Sequence, residues 1–230
     1  TGGVVSQDYQ TDVRYAAARD ASREFAIVSR TGKLIRDALN PFIDQVKDGT
    51  MVNRMNKELT ALKQADTKHS RGERRADTLL ADEDSNHSFR IFQFNKEVKL
   101  FHLLEDFPGL RLRSVTGNEN RMVIATSMRL SNRAFPQGAT HAGLTLVQTV
   151  IDFQNGNFDT RSSRMALMMP GGDTDQALQL VIEDFPAAPG IAITCLQVIF
   201  YREEHGDFLQ LRGKVHGMGI VGISNWDQST

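Results

Sequence analysis

The sequence predicts an α+β fold: an N-terminal helical hairpin with a short third helix over residues 1–85, then an antiparallel β-sandwich over residues 86–230. Three observations lead there. Phe25, Val28, Gly32, Ile35, Leu39, Phe42 and Val46 recur at steps of three and four, which keeps them on one face of a helix. Val52, Met55, Leu59 and Leu62 repeat that spacing after the break at Asp48-Gly49-Thr50. From about residue 86 the pattern changes to short apolar runs closed by turn residues, with no helical period between them.

In the first helix, Ala16, Ala17, Ala18 and Ala21 are strong helix formers. Glu24, Lys33, Arg36 and Asp37 fall off the apolar stripe, as a solvated face requires. Gly32 lies on the stripe and leaves room for a neighbouring backbone or a large side chain. Pro41 cannot continue an unbroken helix, so a kink or fresh start is expected near Asn40. Gly49 suits a helix C-terminus and Thr50 the next N-cap. Ser70-Arg71-Gly72-Glu73 has the spacing of a capping box, opening a third helix through Arg74, Ala76, Leu79 and Leu80. Lys68, His69, Arg71, Arg74 and Arg75 form the one basic cluster. Asp66, Glu73, Asp77 and Asp82 interleave with it, so it reads as a solvated face rather than an anion or nucleic-acid site, and no aromatic residue nearby supports base stacking.

The strands are expected at Phe89–Phe94, Leu110–Val115, Arg121–Ser127, Leu144–Phe153, Phe158–Met168, Ala177–Glu183, Ile191–Arg202, Phe208–Arg212 and Val215–Ile223. Asn155-Gly156 predicts a two-residue hairpin turn, and His205-Gly206 a second hairpin. Ile191–Tyr201 is apolar on both faces, as a central strand would be. Leu104-Glu-Asp-Phe-Pro-Gly109 is echoed by Ile182-Glu-Asp-Phe-Pro186, which either marks equivalent corners of a pseudo-symmetric sandwich or is a coincidence.

The 230 residues carry 27 Lys plus Arg against 28 Asp plus Glu, and residues 1–85 alone carry 14 of each sign. That balance gives no electrostatic footprint for nucleic acid or an anionic membrane. Cys195 is the only cysteine, which excludes an intrachain disulfide and a cysteine zinc cluster; within Ile191–Phe200 it reads as a core residue. No apolar run reaches the roughly 18 residues of a membrane span. The chain opens at Thr1 rather than Met, which leaves the compartment open.

Gly217-Met-Gly-Ile-Val-Gly222 fits the letters of a dinucleotide-binding loop, but that mechanism needs a following helix and a further acidic residue. A small-residue edge strand fits better. Asp152, Asn155, Asn157 and Asp159 offer oxygen ligands for calcium, although the Asn-Gly turn already accounts for them. Glu203, His205 and Asp207 straddle a hairpin tip, where charged residues are the default. The six histidines form no ligand pair, and no serine sits on a nucleophile elbow. No cofactor, metal or catalytic residue is therefore predicted.

The segments Ser22–Leu39, Arg71-Gly-Glu-Arg74 and Ile199–Asp207 resemble an uncharacterised bacterial protein family. Its members are roughly 250 residues long, with a short glycine-containing stretch, then helices and a strand-rich remainder. The resemblance spans nearly the whole chain, implies the same architecture, and carries no activity or site residue with it.

The expected function is that of a non-enzymatic structural protein that assembles with copies of itself, as a filament, surface-layer or particle subunit, with an extracellular or cell-surface location. The assembly candidates are the helical faces and two small, β-compatible terminal segments: Val4 and Val5 at one end, and Gly217, Gly219, Ile220, Val221 and Gly222 at the other. Neither nucleic-acid binding nor membrane insertion is expected. The alternative is a ligand-binding β-sandwich module with carbohydrate as the common target, for which Trp226 is the one aromatic residue expected to be exposed. An enzyme of unknown class comes third.

Overall fold

The computed structural model describes residues 6–104, 111–116, 121–128, 130–170, 178–183 and 189–226. The fold is α+β: helices precede a strand-rich antiparallel part. A short α1 (Ser6–Thr11) leads into the long α2 (Ala16–Leu39), which pairs with α3 (Met51–Gln64) as the predicted hairpin. One further helical turn, α4 (Leu100–Leu103), precedes the strands. These are β1 (Arg111–Thr116), β2 (Arg121–Met128), β3 (His141–Asp152), β4 (Asn157–Ser162), β5 (Ala166–Met168), β6 (Leu178–Ile182), β7 (Gly190–Glu204), β8 (Asp207–Gln210) and β9 (Gly217–Trp226).

The strands form a three-stranded sheet, β1-β2-β6, and a curled six-stranded sheet built on the β3–β7 pair. β4 and β5 lie along β3; β8 and β9 lie along β7. The registers are antiparallel throughout, with Ile151 opposite Ile191 and His141 opposite Tyr201 at the ends of the central ladder. Because side chains alternate along a strand, the six-stranded sheet feeds two cores. Val147, Ile151, Ile193, Cys195 and Ile199 face the helices, together with Met218, Ile220 and Ile223 of β9. Leu144, Leu146, Val150, Leu196, Val198 and Phe200 face the opposite way, onto Leu180 and Ile182 of β6 and Leu112 of β1. The helical segment and the sheet thus share a core. The thiol of Cys195 is fully buried in it, and burial pushes its pKa up.

The predicted helical stripes hold at Val28, Gly32, Ile35 and Leu39 of α2 and at Met55, Leu59 and Leu62 of α3, and shift by one residue only at their N-terminal ends. α2 buries Glu24, Val28, Ile35 and Leu39, and leaves Phe25 61% exposed. The reason is Glu24, whose carboxylate forms a buried ion pair with Lys63 of α3 and accepts a 2.9 Å hydrogen bond from Gly72 N. A buried charge so partnered holds the inner position that periodicity assigns to the apolar neighbour. On α3, Met51 is buried and Val52 exposed.

α2 ends at Leu39, ahead of Pro41, and a 3₁₀ turn at Ile43–Gln45 leads on to α3. Thr50 precedes α3 but makes no side-chain cap; its hydroxyl and amide both donate to Asp48 at 2.6 Å. The third helix reduces to a 3₁₀ turn at Asp77–Leu79. The capping box does not form, since Asp66 organises that loop by accepting from the amides of Lys68, His69 and Arg75. Phe89–Phe94 is not a strand either. A 3₁₀ turn at Phe89–Ile91 lets Phe89, Phe92 and Phe94 pack together, and only Gln93 bridges to a strand, at Gly219 of β9. The echo at residues 105–109 and 184–186 lies outside the described residues.

Candidate functional site

One concavity among the described residues is a cleft of about 820 Å³ with three walls: the outer flank of α2, the loop at 69–77, and the β3–β4 turn at 153–156. Each wall is fixed by a carboxylate. Glu24 ties Gly72 to α2, and Asp66 folds the loop, with His69 Nδ1 at 2.7 Å. Asp152 fixes the turn by accepting from Gln154 N, Asn155 N and Asn155 Nδ2 at 2.9, 3.1 and 2.6 Å.

Burial alone would raise the pKa values of Glu24 and Asp66, but the hydrogen bonds they accept outweigh it and hold both below the usual carboxylate range. The Asn155 side chain, followed by its amide, lowers Asp152. The turn itself differs from the two-residue form predicted. Asp152 pairs with Asn157, so four residues form the connection, and of these only Gly156 has a positive φ (+73°). The second hairpin does have the two-residue form, with Glu204 opposite Asp207 and both His205 and Gly206 at positive φ.

The charges lining the cleft are mostly paired: Arg23 with Asp20, Lys33 with Asp37, Arg75 with Asp77, and His69 with Asp66. Arg30 on α2 and Glu73 on the loop have no side-chain partner among the described residues. Neither does the hydroxyl of Thr31, although the residue is only 5% exposed. Ile27, Leu34 and Phe153 supply partly buried apolar surface between these groups. Periodicity missed this site because it is assembled from three distant segments, two of them loops. The nearest signal in the sequence is the basic cluster at 68–75, of which His69 and Arg75 line the cleft.

A second surface is the end of the six-stranded sheet that the helices leave uncovered. A Cβ on Gly143 would lie 2.5 Å from Met165 Sδ and 2.9 Å from the Tyr201 ring, which puts the three residues on one face. Leu167 pairs with Gly143 and Phe208 with Glu203, so both point the same way. Phe208 meets the ring of His141, with centroids 4.8 Å apart. Met165, Leu167, Met169 and Phe208 are all exposed, Met169 by 59%. Among the described residues β5 pairs only with β3, so its outer edge is unpaired.

The predicted assembly residues are placed as follows. Val4 and Val5 lie outside the described residues. Gly217, Gly219, Ile220, Val221 and Gly222 belong to β9, which pairs along β7 from Gly190 to Val198. Its outer edge is occupied at Met218–Ile220 by the chain's own 92–94 segment: Phe94 N donates to Met218 O and Ile220 N to Phe92 O, both at 2.9 Å. Gly217, Gly219 and Ile220 are buried, and Val221 and Gly222 half-buried. The strand is an intramolecular member of the sheet. Trp226, expected to be exposed, is 4% exposed and belongs to the core between the sheets.

Among the described residues no group of three His, Cys, Asp or Glu is placed to hold a metal ion, and no helix is long and apolar enough to cross a membrane. No protein-family model matches the chain, and neither a curated protein nor a solved structure is similar to it.

Proposed function

We propose that this is a non-enzymatic structural protein that associates with copies of itself through the uncovered end of the six-stranded sheet. The observation that carries the reading is the exposed group of Met165, Leu167, Met169 and Phe208 beside the edge of β5, which pairs with no further strand among the described residues. Several exposed large apolar side chains grouped on one face at the end of a sheet are what an interface presents. The occupant is a second copy. An edge strand is self-complementary about a two-fold axis, since antiparallel pairing of β5 with its symmetry mate would continue the sheet and bring both apolar faces to one side. The net charge of −1 sets no long-range repulsion against such pairing.

This moves the interface from where the sequence suggested it. The apolar stripes of α2 and α3 and the glycine-rich β9 are spent inside the subunit. Sedimentation of the native protein across a range of concentrations tests the proposal. The wild type should form dimers or larger species, and Leu167→Asp should shift it to monomer with unchanged circular dichroism. A wild type that stays monomeric at high concentration overturns the reading.

A further inference from the structure

We infer that the cleft between α2, the 69–77 loop and the β3–β4 turn binds a small zwitterion with an apolar body, an amino acid or short peptide with free termini. The inference does not depend on self-association, because none of the cleft residues lies on the exposed end of the sheet. Of the eight charged or titratable side chains around the cleft, only Arg30 and Glu73 lack an ion-pair partner among the described residues. They stand on different walls, one cationic and one anionic. That disposition suits a carboxylate at Arg30 and an ammonium at Glu73.

Thr31 provides an independent indication. A threonine hydroxyl in a helix ordinarily finds a backbone carbonyl one turn back, as Thr60 does with Asn56 O at 2.7 Å. Thr31 makes no such bond, although it is nine-tenths buried, and it lines the cleft beside Arg30. Its hydroxyl opens on the cleft rather than being sealed in the core, so a ligand oxygen would replace solvent as its partner. Ile27, Leu34 and Phe153 would cover the apolar body, and the volume of about 820 Å³ accommodates more than a single amino acid. The walls are held by hydrogen bonds already made, so little ordering cost falls on binding.

Calorimetric titration with L-phenylalanine, Leu-Phe and Ala-Leu-Phe tests this, each probe also as its C-terminal amide and its N-acetyl form. At least one of the free-termini probes should bind saturably, which fixes the length, and both blocked forms should bind about tenfold more weakly or worse, as loss of a charge-assisted hydrogen bond implies. Arg30→Gln should weaken the free acid to the level of the amide while leaving the amide's own affinity unchanged, and Glu73→Gln should do the same for the ammonium. Thr31→Val should weaken binding with no drop in melting temperature, because the hydroxyl has no partner within the fold. Titrating the Leu167→Asp variant as well separates this result from that of the interface. Absence of saturable binding by all three free-termini probes, or affinities unchanged in Arg30→Gln and Glu73→Gln, would overturn the inference.

Discussion

Two side chains carry more of the fold than their polarity suggests. Asp48, in the connection between α2 and α3, accepts from Thr50 N, Thr50 Oγ1, Lys96 N and an Arg54 nitrogen, at 2.6, 2.6, 2.8 and 2.6 Å. Arg54 in turn donates to Gln93 O at 2.7 Å, so the pair fastens the helical hairpin to the segment that flanks β9. Burial acts to raise the Asp48 pKa, but these hydrogen bonds prevail and hold it far below the usual range. Asp48→Ala should cost about 3 kcal/mol in urea unfolding, as a buried ion pair broken on one side does; a loss under about 0.5 kcal/mol would match a surface pair instead.

His216 is buried, with Nδ1 accepting from Phe200 N at 3.1 Å and Nε2 donating to Leu211 O at 2.8 Å. Both roles require a neutral ring, and burial lowers its pKa below the ordinary 6.5 despite the opposing bond to Leu211. The stabilisation is therefore complete above 6.5 and lost as pH falls from there through the folded value. Melting temperatures taken between pH 7.5 and 5 should decline in the wild type. A profile flat over that range would show that the ring charges freely in the fold.

At the scale of elements, the informative case is β9. Its glycines read as a strand with little to pack, and the structure shows what they accommodate. A Cβ on Gly219 would lie 2.6 Å from Gln93 Nε2 and 2.7 Å from its Oε1. That side chain is not free to yield, because it donates to Ile91 O and accepts from Leu100 N, both at 2.9 Å. Gly219→Ala should thus destabilise the isolated subunit by about 1–3 kcal/mol, the usual cost of overpacking. Full stability in that variant would mean the strand and the 92–94 segment are not in contact in solution. Met218, Ile220 and Ile223 of the same strand are core, so its loss would unfold the subunit.

At the scale of the molecule, the helical layer covers only part of one sheet face, and the two proposed surfaces follow from that. Where α2 lies over the sheet, Thr160 Oγ1 donates to Ala38 O at 2.6 Å and Gln197 Nε2 to Phe42 O at 3.0 Å. Beyond it the Met165–Phe208 face is open. Separate variants address the two surfaces, and their outcomes are expected to be additive because they share no side chain. Arg30→Gln should leave the sedimentation profile unchanged, and Leu167→Asp should leave zwitterion affinity unchanged. Cross-effects would show that ligand and interface are coupled.

Local pattern determined most of the elements. The α2 and α3 helices, seven of the nine expected apolar runs and the His205-Gly206 turn are legible because each depends on periodicity or turn chemistry within a few residues; Phe158–Met168 divides into β4 and β5, and Phe89–Phe94 is not a strand. Pattern failed where a polar side chain found a distant partner: Lys63 drew Glu24 inward and displaced Phe25, and Asp66 replaced a helix with a loop. The tertiary structure alone decided which strand edges are closed, that Trp226 is buried, and that Arg30, Thr31 and Glu73 line one cleft. The sequence states how hydrophobic a residue is, whereas burial, pairing and proximity depend on what the rest of the chain brings to it.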